Sequence, residues 1–312
     1  MLVFGPVPSR RLGRSLGINN IPPKICSYSC SYCQLGNTLS MQVARAAYYT
    51  PETLRMAVEE KLQRANARGE RIDYLAFVPD GEPTLDVNLA QHLDAVKPFG
   101  IRTAVISNAT LIDDPAVRET LCKADWVSLK VDAVDESIWR RIDRPHKSLR
   151  LQNLLEGSLQ FAKEYAGTLV TETMLVRDLN ETNVHLDALA EFVGKLSPLT
   201  AYLSIATRPP AESWVLSPTE STIHNAYQRF SKRVEHVETL IGYEGNAFAS
   251  TGDVREDLLS ITSVHPMRQE AVEELLLHAN ESWEIVQDLI ARGLLLTLDY
   301  DGHTFYVRKL TA

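Results

Sequence analysis

Cys26-Ser-Tyr-Ser-Cys30-Ser-Tyr-Cys33 gathers three of the chain's four cysteines into eight residues, just after Pro22-Pro23-Lys24. Thiolates at this spacing can fold around one iron–sulfur cluster, for which cysteine is the usual ligand. Three thiolates on a four-iron cubane leave one iron without a protein ligand, and an open metal position is where something else binds. Two other readings compete. A structural zinc site wants four ligands, commonly as two CxxC-type pairs, but no second pair exists and the first histidine is His92. The remaining reading is three incidental core cysteines.

Other polar groups recur at the ends of apolar runs. Asp80-Gly81-Glu82-Pro83 follows the run 74–78, Ser107-Asn108 follows 103–106, and Ser128, Lys130 and Asp132 lie on or just after 126–131. Glu172 and Met174 share a face of 169–176, and Thr207-Arg208-Pro209-Pro210 follows 201–206. Parallel α/β barrels collect their reactive groups at the C-terminal ends of the strands, so this recurrence marks a candidate site. Glu82 can offer a cationic ammonium charge-assisted hydrogen bonds; the alternative is an ordinary turn. Alternation puts Ser128, Lys130 and Asp132 on one face. Such a lining is costly to desolvate unless it binds something, or unless Lys130 is paired with Asp132 or Glu172. Arg208, in a loop stiffened by two prolines, and Arg177 can grip an anion bidentately or stay solvated. Cys122, in a helical stretch, reads as a small core residue.

Cys-x3-Cys-x2-Cys with the aromatic Tyr32 before its last cysteine resembles the signature of the radical S-adenosylmethionine (SAM) superfamily. The resemblance implies a [4Fe-4S] cluster on Cys26, Cys30 and Cys33 and SAM chelated to the open iron. Reductive cleavage of SAM then yields a 5′-deoxyadenosyl radical. Asp80-Gly81-Glu82 resembles the family's Gly-Gly-Glu motif, which holds the SAM amino group; Asp80 departs from its first glycine. By the same resemblance, Tyr32 lies near the adenine, a packing role being its alternative, and groups at the end of the fourth strand (Ser128, Lys130, Asp132) contact the ribose or carboxylate. Ser107 and Asn108, at the end of the third strand, and Arg208, after the sixth, are expected as further cofactor contacts from their positions. The run from Gly5 through Lys24-x-Cys26 to Tyr32-Cys33-Gln34-x-Gly36 resembles a subgroup of iron–sulfur oxidoreductases distantly related to the wyosine tRNA-modifying enzymes. Those enzymes use a second cluster, for which this chain lacks the cysteines, so their reaction is not implied. The expected activity is that of an oxidoreductase that abstracts hydrogen from a peptide, a protein or a small anion. RNA modification and a cluster-bearing redox sensor are the alternatives. The implied electron donor is a flavodoxin or ferredoxin.

The elements that must position these groups alternate in type. A glycine-interrupted strand at 12–19 leads into the cysteine loop, and Gly13 and Gly17 in it point to close backbone approach. Thr50-Pro51 opens a helix by N-cap and first-turn chemistry. Strand and helix then alternate to residue 206, giving six strands with helices packed outside. A full barrel needs eight strands; six, with the resemblance, imply an α/β fold of partial (β/α)6 barrel type over 1–240. Ser217-Pro218-Thr219-Glu220 reads as a capping box starting a helix that runs to about residue 234. Composition shifts between 240 and 252. Beyond it come three helices and two apolar runs around Asp301-Gly302, a two-residue hairpin signal, so 241–312 reads as a small winged-helix-like module.

Charge narrows the partners. The net charge is −8, yet residues 1–51 hold five basic residues (Arg10, Arg11, Arg14, Lys24, Arg45) and no acid. A basic approach to the cysteine loop suits an anionic substrate or an acidic electron donor, or simply solvates a loop. Residues 253–312 carry eleven carboxylates against five basic groups, which argues against nucleic acid and for a protein or peptide contact. No apolar run approaches the ~20 residues of a membrane helix, and the start lacks a signal-peptide pattern. Clustered thiols fit a reducing cytoplasm.

Overall fold

The computed structural model describes residues 2–309 except 243, 244, 247 and 249. Strands β1 (Val3–Ser9) and β2 (Gly13–Ile18) form an antiparallel hairpin, and the short β3 (Ile25–Cys26) and β4 (Ser40–Met41) pair with each other. The alternating part follows as α1 (Pro51–Ala67), β5 (Tyr74–Phe77), α2 (Leu89–Val96), β6 (Arg102–Ser107), α3 (Pro115–Leu121) and β7 (Trp126–Lys130). It continues with α4 (Glu136–Ile142), α5 (Leu151–Glu164), β8 (Thr168–Met174), α6 (Asn183–Leu196), β9 (Thr200–Ser204), α7 (Glu220–Phe230) and β10 (Val237–Leu240). Last come α8 (Val254–Ile261), β11 (Met267–Arg268), α9 (Gln269–Ala279), α10 (Glu284–Ala291), β12 (Leu295–Tyr300) and β13 (His303–Arg308).

One eight-stranded sheet runs in the order β1-β2-β5-β6-β7-β8-β9-β10, parallel throughout except for β1 against β2. No ladder joins β1 to β10 among the described residues, so this is an open, partial barrel. The sheet has two strands more than the six expected. Pro6 and Pro8 hide β1, because proline reads as a strand breaker although an edge strand tolerates it. The four-residue β10 lies in a stretch expected to be helical or linking. Gly17 behaves as expected: a side chain there would collide with the Phe4 ring on β1.

Alternation along the strands separates two faces. Leu75, Phe77, Val105, Val127 and Leu129 pack outward with Leu54, Val58, Leu93 and Leu121 of the helices. Tyr74, Ala76, Ala104, Trp126, Val170 and Tyr202 form a second cluster on the other face. Thr50 caps α1 as read, its hydroxyl accepting from the Thr53 N–H at 3.1 Å. In α7, however, the capping hydroxyl is that of Thr219, accepting from Thr222, and the helix ends at Phe230. Pro218 therefore precedes the helix instead of opening it. Cys122 is exposed at the end of α3, not a core residue, because the seven-residue helix buries Val117, Thr120 and Leu121 instead.

The three C-terminal helices and the Asp301-Gly302 hairpin occur as expected, with both turn residues at positive φ. Strands β11, β13 and β12 form their own sheet. This segment shares a core with the barrel: Phe4 and Val7 of β1 pack among Leu258, Ile261, Met267, Val272 and Leu275. The buried Lys61 of α1 also meets the buried Asp257 of α8 at 3.0 Å. The boundary stretch 240–252 lies partly outside the described residues. Among the described residues no helix is long and apolar enough to cross a membrane.

Candidate active site

The cysteine loop leaves the end of β2 and is fixed from two sides. On one, β3 pairs with β4, and the Gln42 N–H donates to the Cys26 carbonyl at 3.0 Å. On the other, the Ser29 N–H donates to the Asp143 carbonyl (3.2 Å), Ser31 to Ile142 (2.8 Å), and His146 to Ser27 (2.9 Å). Tyr28 is buried under the loop, its hydroxyl accepting from Trp139 Nε1 at 2.7 Å. Tight turns close the loop, with Cys33 N–H to Cys30 O at 3.1 Å and Gly36 N–H to Cys33 O at 3.0 Å. All three thiols are free and half-buried.

Cys26, Cys30 and Cys33 border one cavity of about 370 Å³ in the mouth of the barrel. Tyr32, Asp80, Gly81, Glu82, Ser107, Asn108, Lys130 and Arg208 line the same space. Gly81 must be glycine: its φ is +153°, it bridges Ile25 in parallel, and a Cβ would strike the Ile25 carbonyl. Asp80 takes an ordinary negative φ, so its departure from glycine is unstrained. Its carboxyl sits 3.5 Å from Lys24 Nζ, and burial outweighs that cation to push it up to about 6.

Glu82 is 1% exposed. Its Oε1 accepts from Thr84 N–H (3.0 Å), Thr84 Oγ1 (2.6 Å) and Ser107 Oγ (2.8 Å), and its Oε2 from Asn108 N–H (2.7 Å). All four donors are neutral, and among the described residues no cation pairs with it. Burial raises this carboxyl above its ordinary value against the pull of those donors. Asn108 also donates through Nδ2 to Cys26 Sγ at 3.5 Å and Ser27 Oγ at 3.1 Å, tying the Glu82 turn to the first cysteine.

Deeper in the cavity, Glu172 accepts from Arg11, from Lys130 Nζ at 3.1 Å and from Ser204 Oγ at 3.2 Å. Desolvation would raise the Glu172 carboxyl, but Arg11 and Lys130 outweigh it and hold the group at about 2. Lys130 Nζ also lies 3.9 Å from Asp132 and 4.8 Å from the centre of the Tyr32 ring. Asp132 itself lies behind the cavity wall, accepting from the Tyr32 hydroxyl and from the Met174 N–H (2.6 Å). Ser128 is buried and does not line the cavity, whose apolar lining includes Leu12, Ala76 and Leu240. Arg208 bonds Gln34 Oε1 at 2.9 Å and His265 Nε2 at 2.8 Å, joining the cysteine loop to the C-terminal segment. Arg177 bonds the Ser217 carbonyl away from the cavity.

Arg11 and Lys24, expected only as part of a basic approach to the cysteine loop, are members of this wall, and Val264 and His265 are an unanticipated contribution from the C-terminal segment. The acid-free N-terminal segment was the one signal for the first two; nothing local signals the others.

The family model described as the Radical SAM superfamily matches residues 20–189, more than half the chain. The chain belongs to the radical SAM superfamily. The UPF0026 protein MJ1312 of Methanocaldococcus jannaschii is 44% identical over 311 residues, covering 99% of this chain and 96% of that protein. Among solved structures, TYW1 with a lysine–pyruvate adduct bound superposes with a TM-score of 0.54 at 19% identity, covering 70% of this chain and 74% of that one. A radical SAM methyltransferase from Sphaerobacter thermophilus gives 0.55 at 15% identity, covering 73% and 66%. Both likenesses are of fold. A radical SAM protein works with a [4Fe-4S] cluster and SAM, and the donor set here fits both. Among the described residues no three His, Cys, Asp or Glu side chains are gathered for a single metal ion. The three thiols instead border a shared space, as separate irons of one cluster require. The cation-free Glu82 carboxylate in the same wall suits a cationic ligand, since a buried charge without a counter-charge is costly.

Proposed function

We propose that the chain cleaves SAM reductively and removes a hydrogen atom from a small anionic substrate. The observation that carries this is the convergence of three free thiols and a buried, cation-free carboxylate on one cavity. Cys26, Cys30 and Cys33 hold the [4Fe-4S] cluster, and Glu82 with Ser107 and Asn108 forms the wall for the SAM ammonium. When bound, the cluster and SAM supply a one-electron reductant and a cleavable C–S bond, the source of a 5′-deoxyadenosyl radical. Tyr32 and Lys130, steadied by Asp132 and Glu172, set the opposite wall, with Asp80-Gly81 holding the turn against Ile25. Ser128 is buried outside the lining.

Arg10 supports an anionic substrate: it lines the cavity, is exposed, and has no ion-pair partner among the described residues. The barrel, 1–240, carries the chemistry in this reading, and the winged-helix-like module, 241–312, closes the cavity through His265. The module's acidic surface suits a peptide or protein contact. Clustered free thiols suit the reducing conditions of a cytoplasm, which supports a cytoplasmic enzyme.

Anaerobic reconstitution with iron and sulfide, then dithionite and SAM, tests the reading by mass spectrometric detection of 5′-deoxyadenosine. Cys30→Ala is expected to lose both the cluster absorbance and the product. An intact cluster that yields no 5′-deoxyadenosine would refute the reading.

A further inference from the structure

The cysteine loop has a second face, away from the cavity, built by residues the proposed chemistry does not use. The stretch 139–150 (Trp-Arg-Arg-Ile-Asp-Arg-Pro-His-Lys-Ser-Leu-Arg) holds five basic residues and one acid. That acid, Asp143, is buried and accepts from the Tyr32 hydroxyl at 3.3 Å. Arg140 is paired with Glu136 at 2.6 Å and Arg144 with Glu212 at 2.7 Å. Arg141, Lys147 and Arg150 remain: all three are exposed, and their side chains make no ion pair among the described residues. On a chain of net charge −8, this leaves three uncompensated cations within ten residues.

This basic stretch touches the cluster ligands' own backbone. The Ile142 carbonyl accepts from Ser31, next to Cys30, and the His146 N–H donates to Ser27, next to Cys26. The loop's other neighbour adds an apolar element. Leu39 and Met41 are 66% and 38% exposed; Leu39 precedes β4, and Met41 lies in it opposite Cys26. Arg144 links the two, donating to Asn37 Oδ1 at 3.2 Å and to the Ser29 carbonyl at 2.6 Å. A small apolar centre beside an uncompensated charged rim is the make-up of a transient interface, and redox encounters are small ones. Electron transfer falls off steeply with distance, so a donor must dock where the cluster loop itself reaches the surface.

We propose that Arg141, Lys147 and Arg150, with Leu39 and Met41, form the docking surface for an acidic one-electron donor protein. The surface presupposes the cluster reading above and deepens it. In the step served, one electron leaves the donor, which is oxidised by one, and enters the cluster, which is reduced by one; no bond forms or breaks. The three cations steer the donor by charge, a contribution of about tenfold or more to association at low ionic strength.

The test compares the reconstituted wild type with R141E/K147E/R150E in stopped-flow reduction of the cluster. One arm uses an acidic flavodoxin hydroquinone as probe, the other photoreduced deazaflavin, a small uncharged donor. A second readout is salt-dependent binding of oxidised flavodoxin to the cluster-free protein. The variant is expected to be slowed about tenfold or more with flavodoxin at low salt, to bind it correspondingly more weakly, and to match wild type with deazaflavin. The flavodoxin gap should close as salt screens the charges. If the charge reversal prevents cluster assembly, R141Q/K147Q/R150Q replaces it, with a smaller slowing in the same direction. Wild-type flavodoxin kinetics in the variant would overturn the proposal, as would equal slowing by both donors. Loss of tRNA binding with unchanged donor kinetics would instead make this an RNA surface. Failure of the cleavage reading shows separately, as no 5′-deoxyadenosine from wild type reduced by deazaflavin.

Discussion

Replacing Glu172 by Gln removes one charge from a nearly neutral set. Arg11 and Lys130 face Glu172 and Asp132 inside the barrel, so the variant leaves one positive charge in excess among side chains that are 16%, 16%, 13% and 0% exposed. Removing one partner from a buried ion pair costs about 3–5 kcal/mol. The carboxyl itself gives a similar figure. It is held at about 2 against an ordinary 4.5, a depression worth about 3 kcal/mol at ~1.4 kcal/mol per pH unit. Because the folded value lies below the unfolded one, the folded chain binds fewer protons in between. That stabilisation is fully present above about pH 4.5 and is lost as pH falls toward about 2. Urea denaturation followed by circular dichroism should therefore show E172Q destabilised by about 3 kcal/mol at pH 7, with a gap that narrows below about pH 4.5. R11M/E172Q restores neutrality, since Lys130 keeps Asp132, and is expected to recover part of the loss. A loss below about 1 kcal/mol at pH 7, the range of an exposed pair, would refute the reasoning. So would a double variant no more stable than E172Q.

Gly81→Ala drives a Cβ into the Ile25 carbonyl at a backbone angle that disfavours side chains. It should cost about 2–4 kcal/mol in denaturant titrations and lower iron bound per chain, because Ile25 adjoins Cys26; full stability and iron content would contradict the close approach. Lys61→Met leaves the fully buried Asp257 with hydroxyl and amide donors but, among the described residues, no cation. A loss of about 3–5 kcal/mol is expected at pH 7, and a thermal melt unchanged within about 2 °C would count against the buried pair. Cys122→Ser, at an exposed helix end, should change stability by less than about 0.5 kcal/mol and leave the iron content per chain as in wild type.

The candidate ligand set was legible because it is local. Three cysteines within eight residues need no tertiary contact to be recognised, and neither does Asp80-Gly81-Glu82 at the end of an apolar run. The strands of the barrel core were legible because short apolar runs bounded by turns are also local. β1 was not, since its prolines mimic a loop until β2 is beside it to supply the hairpin. Arg208 read as an anion-binding arginine on loop stiffness alone. Its bonds to Gln34 and His265 join segments 174 and 57 residues away, a separation no local pattern encodes.

By itself the sequence determined the chemistry available: which residues can ligate iron, and that the chain alternates strand and helix in the order a partial barrel needs. Only the tertiary structure decided how the charges are shared. Among the described residues it set Glu82 against neutral donors alone, without a counter-cation, and it committed Lys130 and Arg11 to Glu172. It also laid the basic stretch 139–150 against the back of the cysteine loop. The physical reason is range. Ligand type and periodicity are properties of neighbours in the chain, whereas desolvation and ion pairing depend on which distant segments the fold brings within a few ångströms.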